Sequence, residues 1–245
     1  MPDATPIVFV VDQDAAVRDS IQVLVRSAGW RVEGCRSALE FLSRPRSGAP
    51  SCVVLDVQLP DLSGLELQAR IAAERTEMPV IFVADCADVP TIVQAMKAGA
   101  LEFLPKPAGA RELFCALRIA IERSRAVLAR EAELRALRER HNLLTQRERE
   151  VMALVIAGHL NKQVGGELGI SEITVKAHRG KVMRKMQAAS FAQLIDMARG
   201  LGVTRIPRSD VRAEVPYDPG YDPGFRLGSP KKNPGGGVQE AFSSL

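Results

Sequence analysis

Four short apolar runs recur through the first hundred residues, each bounded by polar or turn-forming positions. Ile7-Val8-Phe9-Val10-Val11, Cys52-Val53-Val54-Leu55, Val80-Ile81-Phe82-Val83-Ala84 and Leu101-Glu102-Phe103-Leu104 are too short for ordinary helices and read as strands. Between them the apolar positions change period. Val17, Ile21, Leu24, Val25 and Ala28 share one helical face, Leu65, Leu67 and Ile71 share another, and Val89 to Ala98 forms a third helical segment. Strand and helix alternating through short connections predict a doubly wound parallel α/β sheet.

The polar residues that end these runs are the candidate chemistry. The first run ends on Asp12, with Asp14 two residues on, and the second ends on Asp56, just before Gln58 and Pro60. The third ends near Asp85 and Asp88, and the fourth is followed by Pro105-Lys106-Pro107. In an open parallel sheet, ligands gather outside the carboxyl ends of the strands. This topology therefore brings Asp12, Asp14, Asp56 and Lys106 to one edge from distant parts of the chain. Taken alone, an Asp before a proline loop is also ordinary turn chemistry. Asp14 reads as the cap of a helix beginning near Ala15.

The second half has a different pattern. From Ala108 to His141 there is no proline and no glycine after Gly109, and the segment is dense in Ala, Leu, Glu and Arg, which predicts one long helix. Leu113, Leu117, Ile121, Ser124 and Leu128 form a stripe that Val127, Leu134 and Leu137 continue imperfectly. Two readings stand side by side: a solvated helix held by charge pairs such as Glu131–Arg135, and a short dimerising coiled coil. Beyond it, Thr145 followed by Glu148 is a capping box that starts a helix closing before Gly158. Asn161 opens a second helix ending near Gly169, Ser171 caps a third over Glu172–Met186, and Ser190 caps a fourth running through Ala198. Helix, glycine-containing turn and helix make a helix-turn-helix pattern.

On the third of these helices Val175, Val182 and Met186 fall on one face and Ile173, Lys176, Ala177, Gly180, Lys181 and Arg184 on the other. A basic face of small residues is one that a DNA major groove admits. Gly165 and Gly166 stand out in the preceding helix, because each costs up to about 1 kcal/mol relative to Ala in a helix interior. From Val203 the chain turns rich in Pro, Gly and charge, with the repeat Tyr217-Asp218-Pro219-Gly220 and Tyr221-Asp222-Pro223-Gly224, and disorder is expected there.

Charge adds a gradient to this picture. Residues 1–108 hold 10 Lys and Arg against 14 Asp and Glu, whereas residues 143–202 hold 9 against 5. An acidic front and a basic back suit cation or kinase contact in front and nucleic acid behind. The 245-residue length suggests two domains. No apolar stretch is long enough to span a bilayer and no signal peptide is visible, so a cytoplasmic protein is expected. Cys35, Cys52, Cys86 and Cys115 show no paired metal-ligand spacing and are expected as reduced, buried thiols, with Cys86 beside the acidic edge.

The stretches VVDQD, VVLDVQLPDLSGLEL and PVIFVADCADVPTIVQAMKAGALEFLPKP resemble the receiver domain of a two-component response regulator of the FixJ/NarL type. LTQREREVMALVIAGHLNKQVGGELGISEITVKAHRGKVMRKM resembles a LuxR-type DNA-binding domain. The resemblance implies a flavodoxin-like five-stranded receiver core over residues 1–108 and a helical linker over 109–142 that continues the last receiver helix. An all-α four-helix head over 143–202 and a disordered tail over 203–245 complete the division. It implies that Asp56 accepts a phosphoryl group from a sensor histidine kinase and that Lys106 contacts that group. A magnesium ion would be held by Asp12, Asp56 and the Gln58 carbonyl, with Gln13 standing where a second acidic residue is usual. Ala84 stands where the switch hydroxyl of Thr or Ser is usual, while its aromatic partner, Phe103, is retained. Lys176, Ala177 and Gly180 would read bases, and Thr174, Lys181 and Arg184 would meet phosphates. The implied partners are DNA at a two-fold site, the kinase, RNA polymerase and a second copy of the chain.

Three functions follow from different classes. The first is a DNA-binding transcription regulator switched by phosphorylation at Asp56. The second keeps the regulator but makes its receiver a phosphate-independent dimerisation or docking module, as Gln13 and Ala84 suggest. The third is an enzyme, because Asp12-Gln13-Asp14 resembles the nucleophile motif of haloacid-dehalogenase-type phosphatases. Those enzymes continue with Gly and Thr where this chain has Ala15 and Ala16, so no enzymatic activity is expected.

Overall fold

A computed structural model describes residues 4–85 and 88–203. β1 (Ile7–Val11), β3 (Ser51–Leu55) and β4 (Val80–Ala84) are buried along their whole length, whereas β2 (Arg31–Cys35) and β5 (Glu102–Pro105) are only partly covered. The five strands are parallel and lie in the order β2-β1-β3-β4-β5. Strands buried on both faces carry continuous apolar sequence in place of alternation, which is why three of them stood out as runs. β2 did not, because Arg-Val-Glu-Gly-Cys is an edge strand whose Glu33 turns outward to Arg31 and Arg44.

Period-two alternation still divides the strand residues between two cores. Phe9, Val11, Val53, Leu55 and Phe82 pack with α2 (Ala38–Leu42), α3 (Gly64–Glu74) and α4 (Val89–Lys97) through Phe41, Leu67, Ile71 and Ala95. Val8, Val10, Val54, Ile81 and Val83 pack with α1 (Ala15–Ser27) and α5 (Ala110–Asn142) through Ile21, Val25, Leu113, Leu117 and Ile121. Asp14 is the N-cap of α1, accepting from the Ala16 amide at 2.8 Å.

α5 begins at Ala110, with Gly109 as its N-cap, slightly later than the expected start near Ala108. Its stripe packs within the chain at both ends, while Val127 and Leu128 between them stay half-buried. Leu113, Leu117, Ile121 and Ser124 are buried, the first three in the sheet's second core, while the Ser51 amide donates to Ser124 Oγ at 2.9 Å. Further along, Leu137 packs into the core of the following helices, and Leu134 and Leu137 both lie against Gly200. The expected Glu131–Arg135 pair is not formed; Glu122–Arg125 is the ion pair that this helix makes among the described residues.

Four helices follow: α6 (Gln146–Ile156), α7 (Asn161–Leu168), α8 (Glu172–Met186) and α9 (Phe191–Gly200). The Thr145–Glu148 capping box forms in both directions, and Ser171 and Ser190 cap α8 and α9. The two odd glycines of α7 separate. A Cβ on Gly165 would stand 2.7 Å from the Ile170 carbonyl oxygen, so only glycine lets the turn fold back so closely. Nothing lies within 4 Å of a Cβ on Gly166, and nothing in the structure explains that residue.

Cys35 and Cys52 are buried free thiols, and burial pushes the Cys35 thiol up to about 11. Cys115 departs from the expectation and is exposed on α5. Cys86 and the 204–245 segment, with its Tyr-Asp-Pro-Gly repeat, lie outside the described residues.

Candidate functional site

Backbone hydrogen bonds carry the sheet's register one residue past its strands. The Asp12 amide donates to the Cys35 carbonyl, the Asp56 amide to the Val11 carbonyl, and the Lys106 amide to the Ala84 carbonyl. The three side chains singled out in the sequence are thereby fixed beside one another at the carboxyl edge. They line an open pocket of about 400 Å³, with Gln13, Gln58 and Ala84 also on its wall.

Lys106 Nζ lies 2.7 Å from Asp12 Oδ2 and 2.8 Å from Asp56 Oδ2, with all three side chains nearly buried. Burial works against the ammonium's charge, but the two carboxylates outweigh it and hold Lys106 above the ordinary lysine range. The second carboxylate oxygens are oriented by the chain: Asp12 Oδ1 accepts from the Asp14 amide at 2.8 Å and Asp56 Oδ1 from the Gln58 amide at 3.2 Å. Arg18 Nη1 donates to the carbonyls of Asp12 and Gln13, which fastens the loop backbone to α1.

Two carboxylates whose oxygens converge on one cation, with Gln58 adjoining, form the hard-oxygen donor set that magnesium takes when it keeps several waters. Gln13 is exposed at the rim. Among the described residues no group of three His, Cys, Asp or Glu is placed to hold a metal ion, so the set rests on two carboxylates. Ala84 is buried and ends β4 with no hydroxyl to offer, and Phe103 packs on the first core, stacked on Phe82 at 5.6 Å.

The basic face of α8 is laid out as the sequence predicts. Val175, Val182 and Met186 are buried, while Ile173, Lys176, Ala177, Gly180, Lys181 and Arg184 are exposed. Among the described residues none of Lys176, Lys181 and Arg184 forms an ion pair, whereas the other two basic residues of α8 serve the fold. Arg179 donates to Asn161 Oδ1 and lies over the Phe191 ring, and Lys185 pairs with the buried Glu148 at 2.6 Å. Thr174 lies at the start of the helix, beside its cap. It is half-buried and its hydroxyl is hydrogen-bonded to the Ser171 hydroxyl at 2.8 Å, within the helix cap.

Comparison with known proteins matches both halves. The model of the response regulator receiver domain matches residues 8–118, and that of the bacterial regulatory proteins of the luxR family matches residues 142–198. Nodulation protein W of Bradyrhizobium diazoefficiens is 44% identical over 198 residues, which cover 81% of this chain and 87% of that protein. The chain belongs to the response-regulator family. The transcriptional regulatory protein FixJ of Azorhizobium caulinodans is 41% identical over 207 residues, covering 83% of this chain and 96% of that one. The solved structure of the response regulator StyR superposes with a TM-score of 0.71 at 42% identity, covering 80% of this chain and 99% of that one. This response regulator thus joins a receiver to a LuxR-type DNA-binding domain, an arrangement that implies DNA and a sensor kinase as partners. No helix among the described residues is long and apolar enough to cross a membrane. Nothing in these comparisons favours a phosphate-independent docking module.

The sequence reading gave no role at the site to two residues, Arg18 beside the pocket and Asp85 within it. Arg18 holds the loop only through main-chain carbonyls, a contact that no side-chain pattern announces. Asp85 lines the pocket, with its Oδ2 3.7 Å from Lys106 Nζ. Its signal was its place at the end of the third apolar run.

Proposed function

We propose that this response regulator accepts a phosphoryl group on Asp56 and reads DNA with the exposed face of α8. The observation that carries the reading is the convergence of Asp12, Asp56 and Lys106 at the carboxyl edge of the sheet, at contacts of 2.7 and 2.8 Å. The Asp56 carboxylate oxygen attacks the phosphorus of a phosphohistidine on the kinase. The phosphorus–nitrogen bond breaks, and the imidazole nitrogen keeps the electron pair and takes up a proton. Lys106, already in contact with Asp56, follows the charge onto a phosphoryl oxygen. Asp12, Asp56 and the Gln58 carbonyl would hold magnesium, which supplies positive charge against the approaching phosphoryl oxygens.

In the head, Lys176, Ala177 and Gly180 face base edges, while Lys181 and Arg184 meet phosphates. Small side chains at positions 177 and 180 let the helix approach the groove floor. The chain divides into a receiver core over 1–108, a helical linker over 109–142 whose first turns pack on the sheet, and a DNA-binding head over 143–202. The molecule acts as a homodimer on a two-fold site and communicates with RNA polymerase. Asp56 serves as a stoichiometric acceptor in this account, and no turnover of an independent substrate is assigned.

DNA affinity measured with and without a small acyl phosphate and magnesium tests the two halves together. The donor should change the affinity of the wild-type chain and leave that of Asp56→Asn unchanged. A donor effect that survives in Asp56→Asn contradicts the proposal.

A further inference from the structure

Asp85 follows Ala84 at the end of β4 and approaches the pocket from the solvent side. Its side chain is 81% exposed, and its Oδ2 lies 3.7 Å from Lys106 Nζ. The ammonium therefore faces three carboxylates, Asp12 and Asp56 from within and Asp85 from outside. Lys106 is also the one cationic side chain among the residues described as lining this pocket. Its neighbour Ala84 carries no donor that could share the work.

These facts bear on what happens when the charge on Asp56 grows, and the argument rests on Asp56 being the phosphoacceptor. Two acceptors that share one ammonium nitrogen are themselves close neighbours. A phosphoryl oxygen that takes Lys106 therefore comes up against the Asp85 carboxylate, and like charges at that spacing repel. Where a hydroxyl at position 84 would donate to the phosphoryl group, this chain sets a carboxylate one residue further on.

We infer that Asp85 competes with the phosphoryl group for Lys106 and so restrains the amount of phosphorylated chain. With acetyl phosphate as donor, an Asp56 oxygen bonds to phosphorus while the bond from phosphorus to the acetyl oxygen breaks, and acetate leaves with the electron pair. In the return step a water oxygen attacks phosphorus and the phosphorus–Asp56 bond breaks. Inorganic phosphate is released with the water proton, and the Asp56 carboxylate is restored. Asp85 raises the energy of the phosphorylated state without touching either bond. It acts as a positioning residue for Lys106.

The test follows the steady-state ratio of phosphorylated to free chain by intact mass, at fixed acetyl phosphate and magnesium. Asp85→Asn should raise the ratio about three- to tenfold, because it removes a like charge that is only partly screened. Asp85→Glu, which keeps the charge, should stay near wild type. The gap between wild type and Asp85→Asn should shrink to below about twofold in about 1 M salt, where the screening length falls to about 3 Å. Loss of a merely structural contact would not produce that salt dependence. Equal or lower phosphorylation of Asp85→Asn, when wild type is phosphorylated, overturns this inference and leaves the Asp56 reading standing. No mass gain in either protein overturns both.

Discussion

The Ser51 amide donates to Ser124 Oγ at 2.9 Å in the buried interior, so the strand that ends beside Asp56 begins against the helix that leads to the DNA-binding head. A backbone donor buried there has no solvent to turn to. Ser124→Ala should therefore destabilise the chain by about 1–3 kcal/mol, the cost of leaving such a group unpaired. Denaturant unfolding checks this, with exposed Ala126→Ser as a neutral comparison.

The paired glycines of α7 should respond in opposite directions. Gly165→Ala drives a Cβ to 2.7 Å from the Ile170 carbonyl and should destabilise the head by about 1–3 kcal/mol. Gly166→Ala meets nothing within 4 Å and should stabilise it by about 0.5–1 kcal/mol. Thermal unfolding of the two variants decides the matter, and a shared direction would contradict the packing described here.

Acid should loosen the head through Glu148. The hydrogen bond from Lys185 and the one from the Thr145 amide hold its carboxyl below the ordinary Glu value of 4.5 despite burial. A group depressed in the folded state contributes stability above its unfolded value, and that stability is lost as pH falls through the folded one. Stability measured from pH 6 downward should therefore start to fall near about pH 4.5 and keep falling below it. Lys185→Met should weaken this dependence and cost about 1–3 kcal/mol at neutral pH by stranding a buried carboxylate.

On DNA the exposed cations of α8 should divide by role. Lys181→Ala and Arg184→Ala should weaken binding to all sequences alike and lower the salt slope by about one each. Lys176→Ala should relax the preference at one base position by about 1–3 kcal/mol. Binding titrations at several salt concentrations, on a specific and a scrambled site, separate the two effects.

Much of this was legible in the chain because buried parallel strands write themselves as unbroken apolar runs, and their last residues name the site. Asp12, Asp56 and Lys106 were brought together this way, whereas the caps Asp14, Thr145, Ser171 and Ser190 were legible from their own side chains at helix starts. β2 was hidden because Arg31, Glu33 and Gly34 interrupt its apolar pattern. The stripe on α5 was visible, but its partner was not: periodicity reveals that a face is covered without saying by what. The same gap explains Gly165, whose reason lies in a carbonyl five residues on. Asp85 was noticed and left unused, because only the folded edge brings it to Lys106.

The proposed phosphoacceptor, Asp56, is held ready by Lys106 at 2.8 Å. Intact mass after incubation with acetyl phosphate and magnesium tests that role most directly. The wild-type chain should gain one phosphoryl group and Asp56→Asn none. A gain of the same size in Asp56→Asn, or none in the wild type, would contradict that role.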